Sequence, residues 1–446
     1  MLLPLSGAFS RNDSVPTVKE WFAEGWHKFP AQKDDGLQYR LYGFLRTDLA
    51  VQSRAMKTSV QGLFPAYPLP ASYNENGTDL NRSASVGLYS ITSRLGLRFQ
   101  TKGILGAERT SACVEADFTG SSDNVLLVLR KAFVQLDWTH ADLLVGQTWH
   151  PLYTEAAPVP TLAITVGSPY NSFNRSPQIR YVYHLTERSA ERQIDLTGAV
   201  LGQTNYKSVG PDPADATQQI SSLDFQRNAL IPNVFLGASY ARGGWLAGLG
   251  VDYKAIKPVS TFTNYAGVEM KNNRLLHSVS GMVYGAYRKD MFYVTAKAIV
   301  GSNLCDHLML GGYSVGQRLV KIDGVSGYVL DFAPFTALSS YVDVSYGKRF
   351  RINFFGGYSA NFGSVKTLNK TYTYYGTGIS GSQTIKDMFR CELGLTYNPG
   401  RWTFGLEVQY DNAAWGSVTE AGKIQLPEGN ARVGSLWADA SVIFNF

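Results

Sequence analysis

What this chain lacks narrows it quickly. Across 446 residues the longest purely aliphatic run is Val125-Leu-Leu-Val-Leu129. A helix needs about 20 apolar residues to cross a bilayer, so no membrane helix is encoded. Charge is thin: charged residues make up 17% of the chain, against about 25% in an ordinary soluble protein. The net charge of +6 forms no basic run, which argues against nucleic acid as a partner. Three cysteines, Cys113, Cys305 and Cys391, are an odd number without CxxC spacing; they give neither a disulfide framework nor a metal knuckle. Six histidines are scattered with no HExxH pair, so the sequence calls for no metal and no cofactor. No linker divides the chain.

What is present is glycine, aromatics and alternation. There are 44 glycines, and Phe, Trp and Tyr make up 13% of the chain. In the stretch from Gly434 to Phe446, apolar Leu436, Ala438, Ala440, Val442, Phe444 and Phe446 alternate with Asp439, Ser441 and Asn445. That is a strand with one oily and one wet face. An unpaired edge of this kind invites aggregation, and in a bilayer only closure satisfies a sheet's backbone. The fold class expected is an all-β transmembrane antiparallel barrel over residues 37–446, preceded by an N-terminal segment, 1–36.

From Leu37 onward sixteen strands can be counted, centred on 38–53, 86–99, 110–119, 125–138, 142–149, 178–186, 192–203, 232–242, 245–257, 275–288, 291–301, 337–346, 350–361, 387–397, 402–411 and 434–446. Their connectors alternate in length. Tight turns fall at Thr139–Asp142, Glu187–Glu191, Arg242–Gly244, Lys289-Asp290, Gly347–Arg349 and Asn398–Arg401. Between them lie long connectors, 54–85, 150–177, 204–230, 303–336, 362–386 and 413–433. Thr101–Arg109 is long for a turn and Gly120–Asn124 short for an outer loop. Short periplasmic turns opposite long extracellular loops are the two-sided rhythm of an outer-membrane barrel. Eight strands leave an interior filled by side chains, whereas sixteen leave room for water. The function that follows is passive diffusion of small hydrophilic solutes across the outer membrane, with lipid outside and no catalysis.

Assigning the oilier parity to lipid sends Arg40, Tyr42, Arg46, Asp48, Arg94, Arg98, Glu115, Asp117, Lys131, Gln135, Asp137 and Arg180 inward. Further along the same parity come Asp195, Asp252, Lys254, Lys297, Asp343, Arg351, Arg390, Glu392, Glu407, Asp411 and Asp439. Lipid-facing charges cost about 2–4 kcal/mol each near the midplane, which favours this parity over its inverse. Arg130 resists it, either as a snorkelling rim residue or because a bulge shifts the phase. The inward charges are near balance. They either keep the wall wet or, at a narrow point, set a transverse field that selects solutes. The connector 150–177 carries Pro151, Pro158, Pro160, Pro169 and Pro177 but only Glu155 and Arg175 as charges. It is suited to fold into the barrel as a constriction, the other reading being an outer lid.

Leu41-Tyr-Gly-Phe-Leu-Arg-Thr-Asp48, Ser93-Arg-Leu-Gly96, Glu115-Ala-Asp-Phe118, Leu129-Arg-Lys-Ala-Phe133 and Leu144-Val-Gly-Gln-Thr-Trp149 resemble, in order, the first five strands of DcaP-like porins. The resemblance covers roughly the first third of the chain. It implies a sixteen-stranded porin, usually a homotrimer, passing small and often anionic solutes. It points to Arg46, Asp48, Arg94, Glu115 and Gln147 as lumen or constriction positions. Members commonly carry an N-terminal coiled coil, and no heptads precede Leu37 here.

Two segments are read before Leu37. Met1–Phe9, with its Ser6-Gly7-Ala8 step, reads as the remnant of an export signal. Glu20–Asp35, with Trp21, Phe22, Trp26 and Phe29, reads as a short amphipathic helix serving as plug, trimer contact or lead-in. Two other functions compete with diffusion. One is a binding or assembly barrel with a blocked lumen. The other is an outer-membrane hydrolase, for which His184 and His277 are the strand histidines and neither has a partner visible in the sequence.

Overall fold

The structure is a computed structural model that describes residues 27–28, 36–120, 126–188, 190–322, 325–429 and 431–446. Sixteen antiparallel strands form its wall: β1 Gln38–Gln52, β2 in two pieces (Ser85–Tyr89 and Arg94–Lys102), β3 Arg109–Asp117, β4 Val128–Asp137, β5 Ala141–Trp149, β6 Arg175–His184, β7 Arg192–Leu201 and β8 Asn233–Arg242. They continue as β9 Trp245–Ile256, β10 Leu276–Lys289, β11 Phe292–Ser302, β12 Val325–Gly347, β13 Phe350–Gly363, β14 Gln383–Tyr397, β15 Trp402–Val418 and β16 Arg432–Asn445. Each pairs with its sequence neighbours, and β1 pairs with β16 from Phe44↔Asn445 to Gln52↔Trp437. The barrel is therefore closed, which leaves its wall no free edge.

Closure fixes which face each residue takes. Leu41, Leu45, Leu95, Ile179, Leu236, Leu249, Val283, Ile352, Leu393 and Leu406 are all exposed on the outer parity, while the residues between them turn inward. An apolar exterior around a charged interior is stable in a bilayer and unstable in water, so the wall spans a membrane. Beside the tight turns of the later strands the outer face carries aromatics. Trp245 lies 4.4 Å from Tyr287, Phe350 4.5 Å from Tyr397, and Trp402 4.9 Å from Phe444, centroid to centroid. Rings at one rim form the belt that marks a membrane interface. At the β8–β9 turn Gly243 and Gly244 both take positive φ, and a Cβ on Gly244 would stand 2.3 Å from the Arg288 carbonyl oxygen.

Two expectations change. The connector 303–336 is mostly strand: Gly311–Ile322 pairs with the outer half of β12, and its start also pairs with Thr373–Thr377. Tyr313, Phe332 and Phe335 are buried there alongside Ser314 and Ala333. A hairpin packed on both faces loses the oily–wet alternation by which a strand is recognised. Of the helix expected over Glu20–Asp35, only His27–Lys28 is described, and it is extended, pairing with Gln38 and Tyr39. The rest of that segment, and most of the connector Gly120–Asn124, lie outside the described residues.

Candidate functional site: the inward loop and the charged wall

After Trp149 the chain turns into the barrel. Pro151–Tyr153 forms one 3-10 turn, whose Leu152 N–H donates to His150 Nδ1 at 3.2 Å. Leu152, Tyr153, Ala157, Val159, Leu162, Ala163, Val166, Tyr170 and Phe173 are buried. Proline removes backbone donors and leaves carbonyls seeking partners. Wall cations supply them: Arg46 Nη1 donates to Leu162 O at 2.9 Å, Arg390 Nη1 to Ser168 O at 3.0 Å, Arg351 Nη2 to Pro160 O at 3.2 Å and Lys297 Nζ to Leu152 O at 3.0 Å. Tyr293 Oη donates to Pro158 O at 2.9 Å. In the opposite sense Glu407 accepts from Leu162 N at 2.6 Å and Ala163 N at 2.9 Å. Gly405 makes room on the wall, since a Cβ there would come within 2.6 Å of Leu162. The loop is thus bolted by buried charged groups along β1, β11 and β13–β15.

The candidate residues read from sequence divide accordingly. Arg46 is 4% exposed and Asp48 fully buried. Arg46 pairs with Asp48 at 2.6 Å and Asp439 at 3.0 Å, and Asp48 accepts from Thr92 Oγ1 at 2.9 Å. These two anchor the loop. Arg94, Glu115 and Asp117 form a second buried cluster with Arg130: Arg94–Asp117 3.3 Å, Arg94–Glu115 3.8 Å, Arg130–Glu115 2.9 Å and Arg130–Asp117 2.5 Å. Tyr42 Oη donates to Glu115 at 3.0 Å. Arg130 reaches this cluster because Glu115 faces Lys131 while Ala116 faces Leu129, leaving Arg130 as the extra residue of a β-bulge. Arg98 is half-buried, its guanidinium 4.8 Å from the Tyr42 ring. Arg180 is half-buried and inward, alternating with exposed Ile179 and Tyr181.

Gln147 corrects the reading. It pairs with Pro177 in the register that also opposes Val145 to Ile179, both exposed on the outer face. The side chain donates to Leu129 O at 2.9 Å and accepts from Thr204 Oγ1 at 2.9 Å. Strand periodicity puts it on the same face as Val145, away from the lumen.

Away from the bolted side, inward residues keep contact with water. Arg40, Arg98, Gln135, Asp142, Arg180, His184 and Asp195 are only half-buried. Toward them points Glu155, the one charged side chain between His150 and Asn174. Its side chain is 35% exposed, and it accepts from Lys131 Nζ at 2.5 Å. The surrounding protein opposes its ionisation, but Lys131 and Arg180 overcome this and hold the carboxyl below its ordinary value. His184 has partners that its sequence neighbours do not reveal, Asp195 at 2.6 Å and Asp142 at 3.2 Å. His277 is exposed beside Tyr253, whose hydroxyl lies 2.8 Å from its Nδ1.

The scattered histidines are not all isolated. His150, Asp252 and His307 meet at the loop root, buried, with His150 Nε2 3.4 Å from Asp252 Oδ1 and the two rings 4.7 Å apart. Long separations in sequence hid this group. Such a trio could hold a metal ion, but His150 Nδ1 already accepts the Leu152 N–H. The ring proton then sits on Nε2, yet His150 Nε2 and Asp252 Oδ1 are both buried without a hydrogen-bond partner among the described residues. Burial, then the neighbouring His150 and Lys254, push His307 well below its ordinary value. Its Nδ1 lies 2.8 Å from Ser172 Oγ, a further tie to the loop.

No protein-family model and no curated protein matches this chain. Among solved structures it is similar to the outer membrane channel DcaP of Acinetobacter baumannii, at 15% identity and TM-score 0.58, over 93% of this chain and 99% of that one. It is also similar to the anion-selective porin from Comamonas acidovorans, at 11% identity and TM-score 0.52, over 92% of this chain and all of the other. Taken with the closed wall and apolar exterior, the likeness identifies the fold: a sixteen-stranded barrel of the DcaP type, built for the outer membrane.

Proposed function

We propose that the chain is a porin, a water-filled channel for passive diffusion of small hydrophilic solutes, anions among them, assembled as a homotrimer. The observation that carries this is a sixteen-stranded wall, a width that leaves room for water, with the connector 150–177 bolted across its interior beside buried Phe64 and Tyr67 of the connector 54–85. The wet side of the lumen supports the anionic preference. There Arg109 pairs with Asp137 at 2.7 Å and Lys131 with Glu155, while Arg40, Arg98 and Arg180 stand on the same wall. Arginines lining a constriction raise the local concentration of anions.

Planar-bilayer recording tests the reading. Stepwise ohmic openings are expected, with a salt-gradient reversal potential on the anion side. Replacing Arg98 and Arg180 together by Glu should carry it toward cations; an unmoved potential would mean these arginines do not set selectivity. A second reading, a binding or assembly barrel with a closed lumen, draws on the complete burial of Arg390 and Glu407. It predicts a folded barrel that stays silent in the bilayer.

A further inference from the structure

The root of the inward loop holds two polar atoms that the protein around them leaves unserved. His150, the first residue after β5, and Asp252, on β9, bring Nε2 and Oδ1 to 3.4 Å. Both atoms are buried without a hydrogen-bond partner among the described residues. Leaving a carboxylate oxygen in that condition is costly. Lys254, two residues further along β9, does not relieve it: its Nζ donates to Asn303 O at 2.7 Å and to Asp306 Oδ1.

His307 completes the group from the 3-10 turn Leu304–His307, which follows β11. One ligand atom from each of the three residues lies within 4.8 Å of the other two. Ser172 Oγ stands 2.8 Å from His307 Nδ1. A ring that donates from Nδ1 keeps its lone pair on Nε2, which is how an outer partner orients a metal-bound imidazole.

One contact opposes ligation. Leu152 N–H donates to His150 Nδ1 at 3.2 Å and so places the ring proton on Nε2. Binding a metal through Nε2 would move that proton to Nδ1 and forfeit the Leu152 bond, the imidazole staying neutral. A single neutral hydrogen bond is small beside the affinity of a multidentate metal site, so the balance falls to the metal.

We propose that His150, Asp252 and His307 form a zinc site that staples the root of the inward loop to β9 and to the turn after β11. Two imidazoles and a carboxylate are ligands that zinc takes, in four-coordinate geometry. The cation would answer the unpartnered Asp252 oxygen. The three residues are at most 2% exposed, so the ion is taken up as the barrel closes rather than through the finished wall. The inference does not depend on the transport reading.

The test refolds the full-length barrel with Zn2+, strips loose metal on a chelating resin and measures zinc by elemental analysis. About one ion per chain is expected. Asp252→Asn and His307→Gln should each cut the zinc content at least about tenfold, a loss no smaller than that from removing an outer partner. His184→Gln removes the wetter histidine between Asp142 and Asp195 and should leave the content unchanged. Co2+ in place of Zn2+ separates a built site from an adventitious surface ion. Four-coordinate Co2+ absorbs visible light strongly, and that absorption should vanish in His307→Gln. A zinc-free wild-type barrel would overturn the proposal, as would zinc that survives both substitutions or leaves with His184→Gln. Should Asp252→Asn fail to fold, His307→Gln carries the same contrast, and the wild-type metal content decides if neither folds.

Discussion

Arg46 and Arg98 show how differently two inward arginines can serve. Arg46 lies in a dry site with Asp48, Asp439 and the Leu162 carbonyl around it. Its removal strands two buried carboxylates and frees the loop, so Arg46→Met should destabilise the folded barrel by about 3–5 kcal/mol. Reversible urea unfolding in lipid would measure it. Arg98 is half-buried over Tyr42, and Arg98→Met should cost about 0.5 kcal/mol while shifting reversal potential. Equal losses for the two would contradict the division of the lumen into a bolted and a wet side. From sequence the pair look alike: both sit on the wet parity of neighbouring strands. Parity states which way a side chain points. It is silent on whether a loop from a hundred residues away will land on it.

At the scale of elements, legibility follows the same logic. Strands with one lipid face and one polar face, such as β16, announce themselves, because each residue meets only one of two solvents. The hairpin of Gly311–Ile322 with outer β12 does not, since at its base, around Tyr313, Ser314, Phe332 and Ala333, both faces meet protein. The β4 bulge was visible only as a clash, Arg130 on the oily parity, and the structure resolves it through Glu115 and Asp117. Gln147 went the other way: a motif likeness suggested the lumen, and simple alternation with Val145 places it outside. That the loop turns inward was readable from its prolines and scarcity of charge, but the residues that bolt it were not. Among those bolts Glu407 accepts two consecutive loop N–H groups. Glu407→Ala should leave both unsatisfied and loosen the constriction, seen as larger open-channel current fluctuations at unchanged barrel secondary structure. Quiet, wild-type-like openings would show that the remaining bolts suffice.

For the whole molecule, the membrane sets the tolerances. Leu249 lies mid-strand on the outer face of β9, and Leu249→Arg should cost about 2–4 kcal/mol of barrel stability. Phe350, exposed at the first residue of β13 among the rim aromatics, should tolerate Arg for about 0–1 kcal/mol. Comparable losses at both sites would argue that the outer surface does not sit in a bilayer. The seam between β1 and β16 carries a temporal consequence as well. Asp48 and Ser441, and Arg46 and Asp439, are joined across 393 positions of chain. The first strand can pair with the second early, but its other edge stays open until the last has been delivered, so assembly must finish by zipping its two most distant parts together. Until that moment a growing ribbon with two raw borders has to be chaperoned, and a chain cut before Arg432 should be exported only to be degraded.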